Sequence, residues 1–210
     1  MSTTVGIVLG AGTSTRLGRP KQMLRFGPTT LLARVVADIE ASKLDRVIVV
    51  LGGEAAAVQP TLHLKRATVV NNAEYGTGCA SSLLAGLDAA HNHSAGTPDA
   101  IMLLLGDMPG VDDRVIDPVL AEYDRNPTWA AVTEYRDARV GHPLLFSRAA
   151  FDNLRALHGD KAVWKIVDRE PPSRMRRIPV DSEIPGDVDT WDDYLAVCKK
   201  FGFEPEGALG

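Results

Sequence analysis

The sequence has few of the features that mark secreted or membrane proteins. Its two cysteines, Cys79 and Cys198, lie far apart and form no Cys-x-x-Cys pair, which excludes a disulfide framework and a cysteine-ligated structural zinc site. No apolar run reaches the roughly 18 residues of a membrane span, and the first residues lack a basic region followed by an apolar core. These absences predict a soluble, cytoplasmic protein with no membrane partner.

Two familiar nucleotide-binding motifs are also missing. The glycine-rich stretch at residues 9–21, LGAGTSTRLGRPK, lacks the Gly-Lys-Thr of a Walker loop and does not satisfy the Gly-x-Gly-x-x-Gly of dinucleotide-binding folds. Its glycines still allow backbone amides to approach a phosphate without a Cβ clash. Thr13 and Ser14 add hydroxyl groups, and Arg16 and Lys21 add full charges, so the stretch is a candidate phosphate loop.

Acidic residues are absent from residues 1–37, although the formal net charge of the whole chain is −4. The cations of this stretch are Arg16, Arg19, Lys21, Arg25 and Arg34. An acidic protein gives no reason to expect nucleic-acid binding, whereas a local excess of cations favours a small anionic ligand. The alternative is a solvated basic surface without a ligand.

The hydrophobic pattern predicts a single α/β domain, since 210 residues with 45% hydrophobic content are enough for one core. Strands are predicted at residues 5–9, 46–51, 67–70 and 100–105, and helices at 31–39, 81–90 and 115–123. This alternation is typical of a Rossmann-like, three-layer fold with a mostly parallel sheet. Further strands are predicted at 130–134, 144–146 and 176–180, and helices at 149–157, 162–167 and 189–200. The last helix is predicted to be capped by Thr190, and residues 201–210 are expected to fray.

Ligands of open α/β sheets bind beyond the carboxyl ends of the strands, where the loops at 10–21, 71–82 and 106–110 are expected to converge. Asp107 follows four apolar strand residues, so its carboxylate should project into this cleft as a hard oxygen ligand for Mg²⁺. A simple turn residue is the alternative. Cys79 lies in the second loop without a paired histidine nearby, and is predicted to be a small packing residue rather than a nucleophile.

Five separated motifs resemble the nucleotidyltransferases of molybdenum cofactor maturation, the cytidylyl- and guanylyltransferases of molybdopterin. They are LGAGTSTRLGRPK at 9–21, NAEYGTG at 72–78 with Ser82, LGDMP at 105–109, GHP at 141–143 and DVDT at 187–190. The resemblance implies transfer of a nucleoside monophosphate from an NTP to a phosphorylated acceptor, with Mg²⁺ as cofactor and release of pyrophosphate. It also implies a nucleotide-binding half at about 1–110, an acceptor-binding half at about 111–200 and a tail at 201–210.

The same resemblance assigns roles residue by residue. It implies catalytic roles for Arg16, Lys21 and Asp107, and a metal site shared by Asp107 and Asp189, with Asp187 as a neighbour. The implied nucleotide-binding residues are Leu9, Gly10, Ala11, Gly12, Thr13, Ser14, Arg16, Lys21, Asn72, Gly76, Gly78 and Ser82. The implied acceptor-binding residues are His142, Pro143 and Asp160. For His142, contact with the acceptor and a role in shaping the turn are both open.

The acceptor half departs from the pattern of relatives that act on molybdopterin, which carry Gly-Asp-x-Gly-Ala-Arg. This chain has GDKAVW at 159–164 and so lacks the second glycine and the arginine. Trp164 could stack on a pterin or pack in the core, and Lys161 or Lys165 could replace the lost charge. Molybdopterin is the leading acceptor, and a sugar phosphate or a phosphorylated alcohol is the alternative.

Relatives that transfer GMP carry two consecutive glycines in the first loop, whereas this chain has Ala11 there. Its methyl group narrows the space for a purine, so the resemblance predicts CTP rather than GTP as the donor. Guanylyl transfer is the nearest alternative. A different class is a non-catalytic chaperone that hands molybdopterin to a recipient molybdoenzyme, but binding alone would not need both Asp107 and Lys21.

Overall fold

The computed structural model describes residues 2–12, 14, 17–159 and 162–207. The predicted roles of Thr13, Arg16, Asp160 and Lys161 therefore lie outside the described residues. Within the described part of the chain, none of the helices combines the length and the apolar character needed to cross a membrane.

A seven-stranded sheet forms the centre of the molecule. Its strands are β1 (Thr4–Gly10), β4 (Arg46–Leu51), β5 (Ala67–Asn71), β6 (Ala100–Leu105), β7 (Ala130–Glu134), β8 (Val140–Ser147) and β9 (Met175–Pro179), and a small hairpin is formed by β2 (Arg25–Phe26) and β3 (Thr29–Thr30). The strand order is β5-β4-β1-β6-β8-β7-β9. Strand β8 pairs antiparallel with β6 and with β7, and the other pairs of the sheet are parallel.

Helices cover both faces of this sheet. They are α1 (Leu31–Glu40), α2 (Ala55–Val58), α3 (Cys79–His91), α4 (Asp113–Arg125), α5 (Phe151–Arg155), α6 (Ala162–Arg169) and α7 (Trp191–Phe201). Side chains of α1 and α4 share one core with Val8, Val49 and Leu104. Side chains of α3, α5 and α6 share a second core with alternate residues of the same strands, including Ile7. Alternation along each strand therefore supplies both cores.

The predicted fold class is confirmed: the chain is a single α/β domain with a mostly parallel sheet between helices. Every strand and helix predicted from the hydrophobic pattern is present; β4, β6 and β7 have the predicted ends, and the ends of the others are shifted. The largest shift is in β8, which begins at Val140 rather than at residue 144 and so includes the Gly141-His142-Pro143 motif. This motif was expected in a loop.

The expected fraying of the tail is wrong for residues 201–207. Phe203 packs edge to face on Phe26, with ring centroids 4.9 Å apart, and the backbone N–H of Glu206 donates a 2.9 Å hydrogen bond to the hydroxyl of Tyr194. Glu206 also pairs with Arg19. The aromatic contacts give this segment a third small core, formed mainly by α7 and the β2–β3 hairpin.

Candidate active site

Three loops surround a cavity of about 280 Å³ at the carboxyl ends of the parallel strands. The first follows β1, the second leads into α3, and the third follows β6. The lining residues are Leu9, Gly10, Ala11, Gly12, Lys21, Gln22, Tyr75, Gly76, Gly78, Cys79, Ser82, Leu105, Gly106 and Asp107. The convergence expected from the position of these loops is therefore present.

Lys21 lies between two carboxylates at this cavity. Its ammonium group forms an ion pair with Asp107 and donates a 2.9 Å hydrogen bond to Asp189. The side chains of Lys21 and Asp107 are 14% and 16% exposed, and that of Asp189 is 38% exposed. Three charged residues that are remote in sequence thus meet, with Lys21 and Asp107 largely shielded from solvent and Asp189 more exposed.

The last helix brings Asp189 to Asp107. The N–H of Val188 donates a 3.1 Å hydrogen bond to the carbonyl of Asp107, which joins the two segments directly. Helix α7 then begins after Thr190, whose side chain accepts from the N–H of Asp193 while the Asp193 carboxylate accepts from the N–H of Thr190. This reciprocal cap fixes the start of the helix and confirms the predicted role of Thr190.

Burial and the neighbouring opposite charges shift the pKa values of Lys21 and Asp107 in opposite directions. Burial alone lowers the pKa of Lys21, but attraction to Asp107 and Asp189 outweighs it and raises the pKa above its ordinary value, so the ammonium stays protonated. Burial raises the pKa of Asp107, and the ammonium of Lys21 opposes this rise. Asp107 thus depends on a nearby positive charge to remain ionised.

The basic stretch near the N-terminus does not gather at the cavity. Arg34 pairs with Asp38 at 2.8 Å on the exposed side of α1, and Arg19 pairs with Glu206 and lies over the ring of Trp191. Among the described cations of that stretch, Lys21 lines the cavity. Of the cations expected near a ligand, the described one that lies at the cavity is therefore Lys21. Arg16 is outside the described residues.

The two aspartates fit a divalent cation. Oδ1 of Asp107 is buried and has no hydrogen-bond partner within the described part of the chain, so one hard oxygen is available for coordination. The described residues contain no cluster of three or more His, Cys, Asp and Glu that could enclose a metal. Two carboxylates with an open cavity beside them suit Mg²⁺, which typically keeps water and phosphate oxygens as its other ligands.

A second, smaller cavity of about 80 Å³ adjoins the first. It lies between the glycine-rich loop and the segment after β4, and Ala11, Gln22, Gly52 and Tyr75 are among its lining residues. A Cβ at Gly52 would lie 2.8 Å from the carbonyl oxygen of Ala11 and 2.9 Å from the ring of Tyr75. Glycine is therefore required here for the close approach of the loop and the aromatic ring.

Two of the predicted nucleotide-binding residues organise the loops and are not among the residues that line the larger cavity. The side-chain amide of Asn72 donates to Ser81 at 2.9 Å and to Ser82 at 3.0 Å, and its carbonyl accepts from the N–H of Glu74. The hydroxyl of Ser14 accepts a 2.9 Å hydrogen bond from the N–H of Lys21. Asn72 thus shapes the second loop, and Ser14 ties Lys21 to the first.

His142 lies in strand β8, with only 7% of its surface exposed. Its ring packs edge to face on Trp164 with centroids 5.6 Å apart, and Nδ1 is 3.4 Å from the carbonyl of Leu103. Burial lowers the pKa of His142 to about 4. Among the described residues, neither His142 nor Pro143 lines the larger cavity, so their acceptor-binding roles stay a prediction.

Comparison with known proteins identifies the family. Residues 6–175 match the model of the MobA-like NTP transferase domain. This match covers most of the chain. The protein belongs to the MobA-like NTP transferase family.

Several relatives match nearly the whole length of this chain. The crystal structure of the Mycobacterium sp. strain JC1 homologue of Rv0371c superimposes with a TM-score of 0.80 at 39% identity, covering 94% of this chain and 96% of that one. Rv0371c of Mycobacterium tuberculosis in complex with manganese gives a TM-score of 0.70 at 39% identity, over 94% of this chain and 98% of that one. Nicotine blue oxidoreductase of Paenarthrobacter nicotinovorans is 28% identical over 88% of this chain and 91% of its own length.

Membership of the MobA-like family makes this chain a nucleotidyltransferase, with an NTP as one substrate and a phosphorylated molecule as the other.

Several residues of its cavity were not expected from the sequence. Gln22 and Tyr75 line both cavities, and Cys79, predicted to be a packing residue, is exposed at the start of α3. Tyr75 lies within a recognised motif, whereas nothing in the sequence marks Gln22 except its position next to Lys21.

Proposed function

We propose that this MobA-like enzyme transfers a nucleoside monophosphate, preferably CMP from CTP, to molybdopterin or a closely related phosphorylated small molecule. The observation that carries this proposal is the position of Lys21 between Asp107 and Asp189, beside the glycine-rich loop. An ammonium and two carboxylates beside a glycine-lined cavity of about 280 Å³ suit a reaction in which a lysine and a carboxylate-bound cation together hold the phosphates of a nucleotide.

The proposed reaction is a single displacement. An oxygen of the acceptor phosphate attacks the α-phosphorus of the NTP, a new P–O bond forms, and the bond to the β-phosphate breaks so that pyrophosphate leaves. An acceptor phosphate is already ionised at neutral pH, so the site needs no strong general base. The low pKa of buried His142, about 4, agrees with this, because its neutral ring is enclosed by Leu103 and Trp164.

Asp107 and Asp189 are the residues that would hold Mg²⁺. The ion would neutralise the phosphates of the nucleotide when it is bound. Lys21 has the reach and the charge to contact the same phosphates, provided that its ammonium leaves the two carboxylates. The manganese complex of the related mycobacterial protein supports a divalent cation.

The acceptor is assigned from the motifs rather than from the cavity. Trp164, which could have stacked on a pterin, is half-buried against His142 and the second core. Lys165 is exposed on α6 and offers the positive charge that could replace the missing arginine. Delivery of the product to a recipient molybdoenzyme is part of this proposal.

An oxidoreductase is the second candidate, because a relative of that name matches nearly the whole chain. A redox enzyme would need a bound electron carrier, and the glycine-rich loop lacks the dinucleotide fingerprint. The charged cluster at the cavity favours metal-assisted transfer instead.

The test is pyrophosphate release by the purified protein with molybdopterin and Mg²⁺, using CTP and GTP in parallel. Mass spectrometry of the products identifies the dinucleotide form of the cofactor. We expect release with CTP to exceed release with GTP. Absence of pyrophosphate with either nucleotide, together with oxidation of NADH or NADPH in the presence of an acceptor dye, would establish the oxidoreductase instead. Binding of molybdopterin without either reaction would establish the chaperone.

A further inference from the structure

Gln22 is a buried polar residue that the proposed reaction does not yet use. It follows Lys21 in a short 3₁₀ helix, Lys21–Met23, and is 5% exposed. Its Nε2 donates hydrogen bonds of 2.8 Å to the carbonyl of Gly10 and 2.9 Å to the carbonyl of Gly12. One side-chain amide therefore holds both carbonyls that flank Ala11.

The orientation of this amide is determined by its partners. Both are carbonyl oxygens, which only accept, so the NH₂ group must face them and Oε1 must point away. Oε1 is buried and has no hydrogen-bond partner in the part of the chain that the structure describes. Gln22 thus leaves its own oxygen unpaired while it satisfies two backbone groups of the glycine-rich loop.

A second link joins the same two segments. The N–H of Lys21 donates to the hydroxyl of Ser14 at 2.9 Å, so residues 21 and 22 hold the loop on both sides of residue 13. Gly10, Ala11 and Gly12 line the larger cavity and the smaller one, as does Gln22. Any shift of these three residues changes the width of both cavities.

We propose that Gln22 is a positioning residue that sets nucleobase selectivity through the loop at residues 10–12. It holds Ala11 at a fixed distance from the wall formed by Gly52 and Tyr75, and it occupies two carbonyls that would otherwise accept hydrogen bonds from an amino group of a base. This inference rests on the proposed function, since it concerns selection among NTPs by the same site.

The test compares two substitutions with a matched control. Gln22→Met keeps a side chain of similar length but removes both donors, and Gln22→Glu replaces the donors with an oxygen that repels the two carbonyls. Gln59, which is exposed in another 3₁₀ helix, supplies the control Gln59→Glu. Dissociation constants for CTP, GTP and pyrophosphate are measured calorimetrically with Mg²⁺ for each protein, and circular dichroism checks the fold.

We expect both Gln22 variants to reduce the discrimination between CTP and GTP by about fivefold or more, which is the size of effect that one changed pocket contact produces. Binding of pyrophosphate, which has no base, should change less than about threefold, and Gln59→Glu should match the natural protein. Unchanged discrimination in a folded Gln22→Met protein overturns the inference and leaves the proposed function intact. An equal loss of pyrophosphate and nucleotide binding also overturns it, because the role is then general support of the fold.

The natural protein provides the separate check on the proposed function. If it binds neither nucleotide, the proposed function fails and the inference fails with it. If it binds both equally, the proposed transfer can stand, but the selectivity assigned to Gln22 is wrong. Should Gln22→Glu fail to fold, Gln22→Met alone decides between these outcomes.

Discussion

The glycine-rich end of the sheet and the surroundings of His142 were both marked by motifs, yet they differ in charge and exposure. At the first, Lys21, Asp107 and Asp189 meet beside an open cavity. At the second, His142 is enclosed by Trp164 and the backbone of Leu103. The first arrangement has two carboxylates that can hold a divalent cation for an anionic ligand, whereas the second is a buried ring. In this protein, a motif that follows the end of a strand is therefore better evidence of ligand contact than a motif that lies inside a strand.

The largest expected effect comes from removing the buried carboxylate of the charged region. We expect Asp107→Ala to lower turnover by roughly 100- to 1,000-fold or more, because it removes one of two anionic groups that can hold the metal at the phosphates. Its circular dichroism spectrum should be unchanged, since Asp107 is not a core side chain. Steady-state pyrophosphate release measures the loss. Asp152→Ala, at an exposed position on α5, is the control, and full activity of Asp107→Ala with Mg²⁺ would contradict the assignment.

The next effect separates two cations of the acid-free stretch. We expect Lys21→Ala to reduce kcat/KM by roughly 10- to 100-fold, because its charge lies at the cavity. Arg34→Ala should change kcat/KM by less than about twofold, since Arg34 forms a partly exposed pair with Asp38 on α1. The same pyrophosphate assay compares the two variants. Equal losses of kcat/KM in the two variants would mean that the position of Lys21 in the glycine-rich loop does not matter for catalysis.

Lys21 also allows a test of metal binding that does not depend on activity. Its ammonium now lies where a cation between Asp107 and Asp189 would be held. We therefore expect Lys21→Ala to bind Mn²⁺ more tightly than the natural protein in the absence of nucleotide, as measured by electron paramagnetic resonance. Weaker binding in this variant would show that Lys21 does not compete with the metal.

At the base, the expected effect is on the selectivity between nucleotides rather than on turnover. The methyl group of Ala11 should favour CTP over GTP by roughly tenfold to a few hundredfold, and Ala11→Gly should lower that ratio. Gly10 beside it adds little room, because a Cβ there would point at Leu32, 3.1 Å away. Catalytic efficiencies with both nucleotides and one acceptor give the ratio. The explanation fails if GTP is preferred by the natural protein or if the substitution leaves the ratio unchanged.

The smallest effect on turnover is expected at His142, where the consequence is a pH dependence of stability. Its folded pKa of about 4 lies below the ordinary value of 6.5, so between these values the unfolded chain binds a proton that the folded chain does not. The free energy of unfolding should therefore fall as the pH drops from 6.5 towards 4, by about 3 kcal/mol in total. His142→Gln should flatten this dependence in urea titrations at a series of pH values. An unchanged dependence would assign the acid sensitivity to other groups.

The sequence predicted the fold well because its signals are local. The apolar runs at residues 46–51 and 100–105 match the ends of β4 and β6, and the parallel order of these strands brings the loops that follow them to one edge of the sheet. Asp107 and Asp189 were expected to share a site. That Lys21 lies between them was not, because it depends on contacts between residues 86 and 168 positions apart in sequence.

The structural features that could not be predicted from the sequence depend on tertiary contacts. The two hydrogen bonds of Gln22 exist only because the loop brings two carbonyls to it. His142 is buried because β8 begins at Val140. The residues Gly141-His142-Pro143 show no hydrophobic alternation that would predict this early start. Phe203 is packed because Phe26 and Phe201 lie within reach of its ring, contacts that the expectation of a frayed segment did not include.

The reciprocal cap of Thr190 and Asp193 holds in place the segment that supplies the second carboxylate of the cluster at the cavity. Asp189 is 168 residues from Lys21, so during synthesis the glycine-rich loop emerges from the ribosome long before the second carboxylate does. A nascent chain with β1 to β9 in place would still lack Asp189. When the protein is heated, the cap and the first turn of α7 should open before the sheet unfolds, and activity should be lost at that stage.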